Sequence, residues 1–128
     1  MPNQPFSYSY HEKLKSRKLL NGIFAKGKSI SCYPIKLIYQ SVELPLDVAM
    51  QVGVGVSSRH FKKAVDRNRI KRLMRESYRT QKQLLHFTEI APKQKLLFFL
   101  YIGKELPDAA LIQTKMAAAL QKISETFH

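Results

Sequence analysis

Arg59-His60-Phe61-Lys62-Lys63-Ala64-Val65-Asp66-Arg67-Asn68-Arg69-Ile70-Lys71-Arg72-Leu73-Met74-Arg75-Glu76-Ser77-Tyr78-Arg79-Thr80-Gln81-Lys82 runs for 24 residues without Gly or Pro. Its residue types tolerate helix well. From Ile70 onward, Ile70, Leu73, Met74, Ser77, Tyr78, Gln81, Leu84 and Leu85 recur at three- and four-residue steps and share one helix face. Asn68, Arg72, Arg75, Arg79 and Lys82 fall on the opposite side, with Lys71 at its edge. Phe61, Ala64 and Val65 are out of phase, so the first turn is expected to pack against a different surface. The run holds ten Lys or Arg against Asp66 and Glu76, which is +8 of the chain's formal +13. A solvated helix face normally mixes the two signs, because opposite i,i+4 pairs help and like pairs hurt. A row of Arg without counter-charges repels itself and points to an outside polyanion.

Upstream of this run, Val48 to Val56 reads as a strand. Val48, Met50, Val52, Val54 and Val56 face one way, and Ala49, Gln51, Gly53, Gly55 and Ser57 the other. The second face is almost bare. Gly weakens a strand, so its presence needs a reason. Either a helix packs closely there, or the face is a groove where an extended ligand approaches the backbone. Downstream, His86 to Gln94 reads as a loop, and Leu96 to Ile102 is apolar on both sides. That suits a central strand covered on both faces and parallel to a neighbour. After a turn at Gly103 to Pro107, Asp108 is placed to cap a last helix with a face of Ile112, Met116, Ala119, Leu120, Ile123 and Phe127.

In the first third, residues 1–12 read as an extended arm, with Pro2 and Pro5 opposing a helix and Phe6, Tyr8 and Tyr10 on one side. Residues 13–128 read as one domain. Lys13, Lys15, Arg17, Lys18, Lys26 and Lys28 surround a short helix capped by Ser16, with Leu19, Leu20, Ile23 and Phe24 as its face and Gly27 at its end. Tyr33 to Gln40 reads as a strand, followed by a loop from Ser41 to Asp47. A very short extra strand falls near Ser29–Cys32. The layers are then a small sheet with helices against it.

The net charge of +13 admits RNA, DNA or an anionic membrane as partner. No apolar run approaches the roughly 18–20 residues that span a bilayer. No signal peptide is expected behind Met1-Pro2-Asn3-Gln4-Pro5, and the single Cys32 suits a reducing cytosol. His11, His60, His86 and His128 have no partner at metal-ligand spacing. The acidic residues are scattered, without the carboxylate cluster of a two-metal nuclease. No Walker loop or dinucleotide fingerprint is present.

Arg67-Asn68-Arg69-Ile70-Lys71-Arg72-Leu73-Met74-Arg75-Glu76, behind a Val/Gly strand and the Ala64-Val65 pair, resembles the signature of the bacterial ribonuclease P protein subunit. The similarity runs from about Leu14 to Ile123. It implies an α+β fold, an α/β sandwich with a small mixed sheet in the order α-β-β-β-α-β-α, similar to the second domain of a small-subunit ribosomal protein. It also implies a left-handed β-α-β crossover, against the usual preference. By this resemblance the protein joins a catalytic RNA that removes the 5′ leader of precursor tRNA in the cytoplasm. Catalysis, with magnesium, would belong to the RNA, with no metal held by protein side chains and neither membrane nor DNA as partner.

The RNA-facing residues so implied are Arg59, Lys62, Lys63, Arg67, Asn68, Arg69, Lys71, Arg72, Arg75 and Arg79. Guanidinium forks suit phosphate oxygens, and Asn can bridge phosphate and base. The leader groove would be lined by Leu20, Phe24, Lys36, Ile38, Tyr39, Gly53 and Gly55, with rings that stack on bases. The bare strand face favours the groove reading. Leu20 and Ile38 stand where many members carry an aromatic ring. The segment Ser57 to Lys63 is one residue longer than in many members, with Ser58 where Lys is common. The rival reading is a structural RNA-binding protein of ribosomal type, since function does not follow from fold alone.

Overall fold

The computed structural model describes residues 16–42, 50–81 and 94–126. The expectations for the arm, for Lys13 and Lys15, for Val48 and Ala49, for Lys82, Leu84 and Leu85, for the loops around residues 43–47 and 86–93, and for Phe127 lie outside these residues.

The chain forms α1 (Arg17–Lys26), β1 (Lys28–Cys32), β2 (Ile35–Val42), β3 (Met50–Val56), α2 (Ala64–Gln81), β4 (Gln94–Tyr101) and α3 (Ala109–Thr126). The fold is α+β. Its sheet is mixed, in the order β1-β2-β4-β3. β4 is an inner strand, antiparallel to β2 and parallel to β3, as its apolar run implied. β1 and β2 form an antiparallel hairpin around the Tyr33–Pro34 turn.

Local chemistry explains most of the boundaries. Ser16 Oγ accepts a hydrogen bond from the Leu19 amide at 3.3 Å and opens α1. Asp108 Oδ1 does the same for the Leu111 amide at 2.8 Å and opens α3. Gly27 ends α1 for a steric reason. Its φ is −70°, open to any residue, but a Cβ there would lie 2.4 Å from the Ile23 carbonyl oxygen. α2 begins at Ala64, later than the unbroken run from Arg59 suggests. Phe61 explains the difference. It lies outside the helix, buried, with its ring 5.9 Å from that of Tyr101. Leaving the helical phase lets it reach the core.

The two sheet faces are covered unequally. On one face Ile35, Leu37 and Tyr39 of β2, Val52 of β3, and Leu97, Phe99 and Tyr101 of β4 meet α2 and α3. α2 supplies Ile70, Met74 and Tyr78, and α3 supplies Ile112, Met116, Ala119, Leu120 and Ile123. Each large side chain buried here stabilises the fold by about 1.5–3 kcal/mol relative to exposure. On the other face Ile23 of α1 packs with Ile38, Leu96 and Phe98, and Leu19, Leu20 and Leu100 are half-buried around them. α1 rests on β2, so the β4–β3 side of this face is more thinly roofed.

Candidate nucleic-acid interface

α2 is amphipathic, and burial of its apolar stripe fixes which side chains remain outside. Asn68, Arg69, Arg72 and Arg75 are exposed, while Lys71 and Arg79 are half-buried. Side chains three and four residues apart stack along a helix face, so Asn68, Arg72, Arg75 and Arg79 form a row. Among the described residues the salt bridge is Arg79 to Glu76, with Arg79 Nε donating to Glu76 Oε2 at 3.2 Å and Nη2 to Oε1. The hydrogen bond from Arg79 holds the Glu76 carboxyl below the usual carboxylate range, and the same bond pushes the Arg79 guanidinium up. Arg69, Arg72 and Arg75 have no ion pair among the described residues. Concentrated positive charge without internal partners is the arrangement that grips phosphate oxygens.

The segment joining β3 to α2 adds to this surface. Arg59, His60, Lys62 and Lys63 are exposed around the buried Phe61. The Ser57 amide is anchored on the Tyr101 carbonyl at 3.4 Å, and Ser57 Oγ accepts from the Arg59 amide at 3.3 Å. Arg67, expected to face RNA, bends back instead. Its Nη1 donates to the carbonyls of Phe61 and Lys62, at 2.8 Å each.

The second candidate surface is the thinly roofed sheet face. Phe24 is 53% exposed at the edge of α1. Its ring meets Phe98 edge-on, with centroids 5.0 Å apart and planes at 69°. Phe98 stands between Ile38 of β2 and Gly53 of β3 in the strand register. Its ring also lies over Gly55, where a Cβ would be 2.6 Å from Phe98 Cζ. The bare face of β3 therefore makes room for a ring from the neighbouring strand, which neither sequence alternative contained. Leu20, Lys36 and Gly55 are half-buried on this side, and Ile38 and Gly53 are buried.

Tyr39 is a correction. Successive strand residues point to opposite faces. Ile38 is on the α1 side, so Tyr39 belongs to the core under α2 and α3 and does not line the groove. Phe98 is the residue the sequence reading missed. An all-apolar strand hides which residues face which side, and only its pairing with Gly53 and Ile38 reveals the orientation. No group of three or more His, Cys, Asp or Glu among the described residues could hold a metal ion. No described helix is long and apolar enough to cross a membrane.

Comparison with known proteins gives the family. A family model described as Ribonuclease P matches residues 9–124. The ribonuclease P protein component of Porphyromonas gingivalis is 31% identical over 122 residues, covering 93% of this chain and 88% of the relative. That of Chlorobium phaeobacteroides is 35% identical over 125 residues, covering 88% of this chain and 85% of the relative. In fold, the chain is similar to the Staphylococcus aureus RNase P protein, with a TM-score of 0.68, 21% identity, and 91% and 98% of the two chains covered. It is equally similar to the RNase P protein of Thermotoga maritima, at TM-score 0.68 and 24% identity over 87% and 96% of the chains. Match to the family model over most of the chain, close relatives across bacteria and the shared fold lead to one conclusion: the chain belongs to the ribonuclease P protein family.

Proposed function

We propose that the two surfaces bind two RNAs, the catalytic RNA along α2 and its preceding segment, and the 5′ leader of precursor tRNA across the sheet face beside α1. Membership of the family makes the chain the protein component of ribonuclease P, a subunit of the endoribonuclease that removes the tRNA 5′ leader. Its partner is the ribonuclease P RNA, and in this family the RNA carries the catalysis. On our reading Arg69, Arg72 and Arg75 grip phosphates, Asn68 bridges phosphate and base, and Arg59, Lys62, Lys63, Lys71 and Arg79 extend the positive field. The observation that carries this reading is the exposed Arg69, Arg72 and Arg75 of α2, which have no ion pair among the described residues.

For the leader, Phe24 offers a ring for base stacking, with Phe98 behind it, and Lys36 supplies charge beside the half-buried Leu20. Base stacking is tolerant of sequence, which suits a subunit that must accept many leaders. Magnesium is assigned to the RNA, whose phosphates are its usual ligands together with water. The work is assigned to the cytoplasm, a reducing compartment in keeping with the unpaired, buried Cys32.

Reconstitution tests the reading. Protein, catalytic RNA and precursor tRNA are combined, with each omitted in turn, at limiting protein. Arg69→Ala with Arg72→Ala is expected to lower cleavage and to reduce the salt slope of RNA binding by roughly 0.7–0.9 per lost phosphate contact. Circular dichroism should be unchanged, because both side chains are exposed. Full cleavage by the double variant at limiting protein would defeat the assignment of α2.

A further inference from the structure

We infer that Arg67 is a positioning residue, which assembles the basic segment before α2 for RNA rather than gripping a phosphate of its own. The inference rests on the reading of that segment as an RNA contact. Arg67 is the fourth residue of α2, at the end of its first turn, and helix side chains tilt toward the N-terminus, so it reaches back over the start of its own helix. There its Nη1 donates to the Phe61 and Lys62 carbonyls at 2.8 Å each. Both bonds are charge-assisted, the stronger kind of neutral-acceptor bond.

The need for such a clamp follows from local chemistry. Lys62 and Lys63 precede α2, and neither can accept a hydrogen bond from the first-turn amides as Ser, Thr, Asp or Asn would. The helix therefore begins without a capping side chain at these positions. Phe61 is drawn into the core against Tyr101, which carries its carbonyl into partly buried surroundings where a donor is required. Lys62 and Lys63 sit at the positive end of the helix dipole, an unfavourable place for cations that leaves the segment inclined to spread. The two carbonyls give the Arg67 charge a local counterpart. The same contacts hold the chain between the anchored Phe61 and the first helical turn, so Lys62 and Lys63 project outward from a fixed backbone.

A double-mutant cycle with hydrogen exchange on the full chain tests this. Without RNA, Arg67→Ala should speed exchange of the amide at position 67, which donates to the Lys63 carbonyl at 3.2 Å, by about tenfold. Arg69→Ala, in the same helix, should leave it unchanged. With catalytic RNA, Arg67→Ala should weaken binding by about tenfold in the native background, but by less than about threefold when Lys62→Ala and Lys63→Ala are already present. Arg67→Lys should recover part of both effects, since an ammonium can still donate to the carbonyls. Additive losses across the cycle, or exchange unchanged by Arg67→Ala, would overturn the inference by itself. Undiminished binding by the Lys62→Ala, Lys63→Ala variant would remove the segment from the RNA interface and take the inference with it.

Discussion

β4 presents apolar side chains on both sides, yet its two faces end in different surroundings. Phe99 points into the closed layer under α2 and α3, fully buried, with its ring 6.1 Å from that of Tyr78. Phe98, its neighbour in sequence, is 9% exposed and meets a Phe24 ring that is itself largely open. The first face has two long helices above it and the second has one short helix over β2. A single strand thus supplies both the centre of the core and the floor of the more open face proposed to bind the leader. The difference lies in which helix covers each side, since the strand's composition is nearly the same on both.

Substitutions on the two faces should separate stability from RNA binding. Phe99→Ala removes a ring from the closed layer and should cost about 3–5 kcal/mol by denaturant unfolding. A loss no greater than that of an exposed site would erase the contrast between the faces. Gly55→Ala brings a methyl against Phe98 and should cost about 1–3 kcal/mol, because the packed ring must shift. The same shift should tilt Phe24 and weaken precursor tRNA relative to mature tRNA; an unaltered ratio of the two affinities would show that the ring's position is immaterial to the groove.

Phe24→Ala should lose only about 0.5–1.5 kcal/mol of stability, the worth of one aromatic pair. Its main effect should be weaker binding of precursor than of mature tRNA, and equal weakening of both would reject the leader groove.

The smallest effect concerns Tyr101 on the closed side. Burial first, then the neighbouring Tyr33 and Glu105, pushes its phenol above the ordinary value, while its hydroxyl donates to the Glu105 carbonyl at 2.6 Å. The folded state therefore keeps this proton where the unfolded chain has begun to lose it. Its contribution is intact below the unfolded value of about 10 and is lost as pH rises through the folded one. Thermal unfolding from pH 8 to 11 should fall less steeply at the alkaline end for Tyr101→Phe. Equal slopes would mean that this phenol does not set the alkaline limit.

Sequence patterns carried far on the closed side. The period of Ile70, Met74, Ser77 and Tyr78 identified the buried stripe of α2, and Ile112, Met116, Ala119, Leu120 and Ile123 that of α3. Both rest on helical spacing, which neighbouring residues set among themselves. The open side was less legible. Gly53 and Gly55 marked a special face, but the ring that occupies it comes from β4, more than forty residues later in the chain. Ile38 and Tyr39 were both expected in the groove, but neighbouring strand residues point to opposite faces, and the pairing of the sheet put Tyr39 on the closed side.

By itself, the sequence determined the helix caps at Ser16 and Asp108, the order of the elements, and the predominantly positive charge of α2 that implies a polyanion. These depend on residue type and short spacing. Only tertiary structure decided that Phe61 leaves the helix for the core, that Arg67 turns back to its own backbone, and that Phe98 supports Phe24. Phe61 and Phe98 are placed by residues that meet them only after the sheet has paired, and the Arg67 bonds, though they span only five and six residues, meet carbonyls that the burial of Phe61 against Tyr101 sets in place.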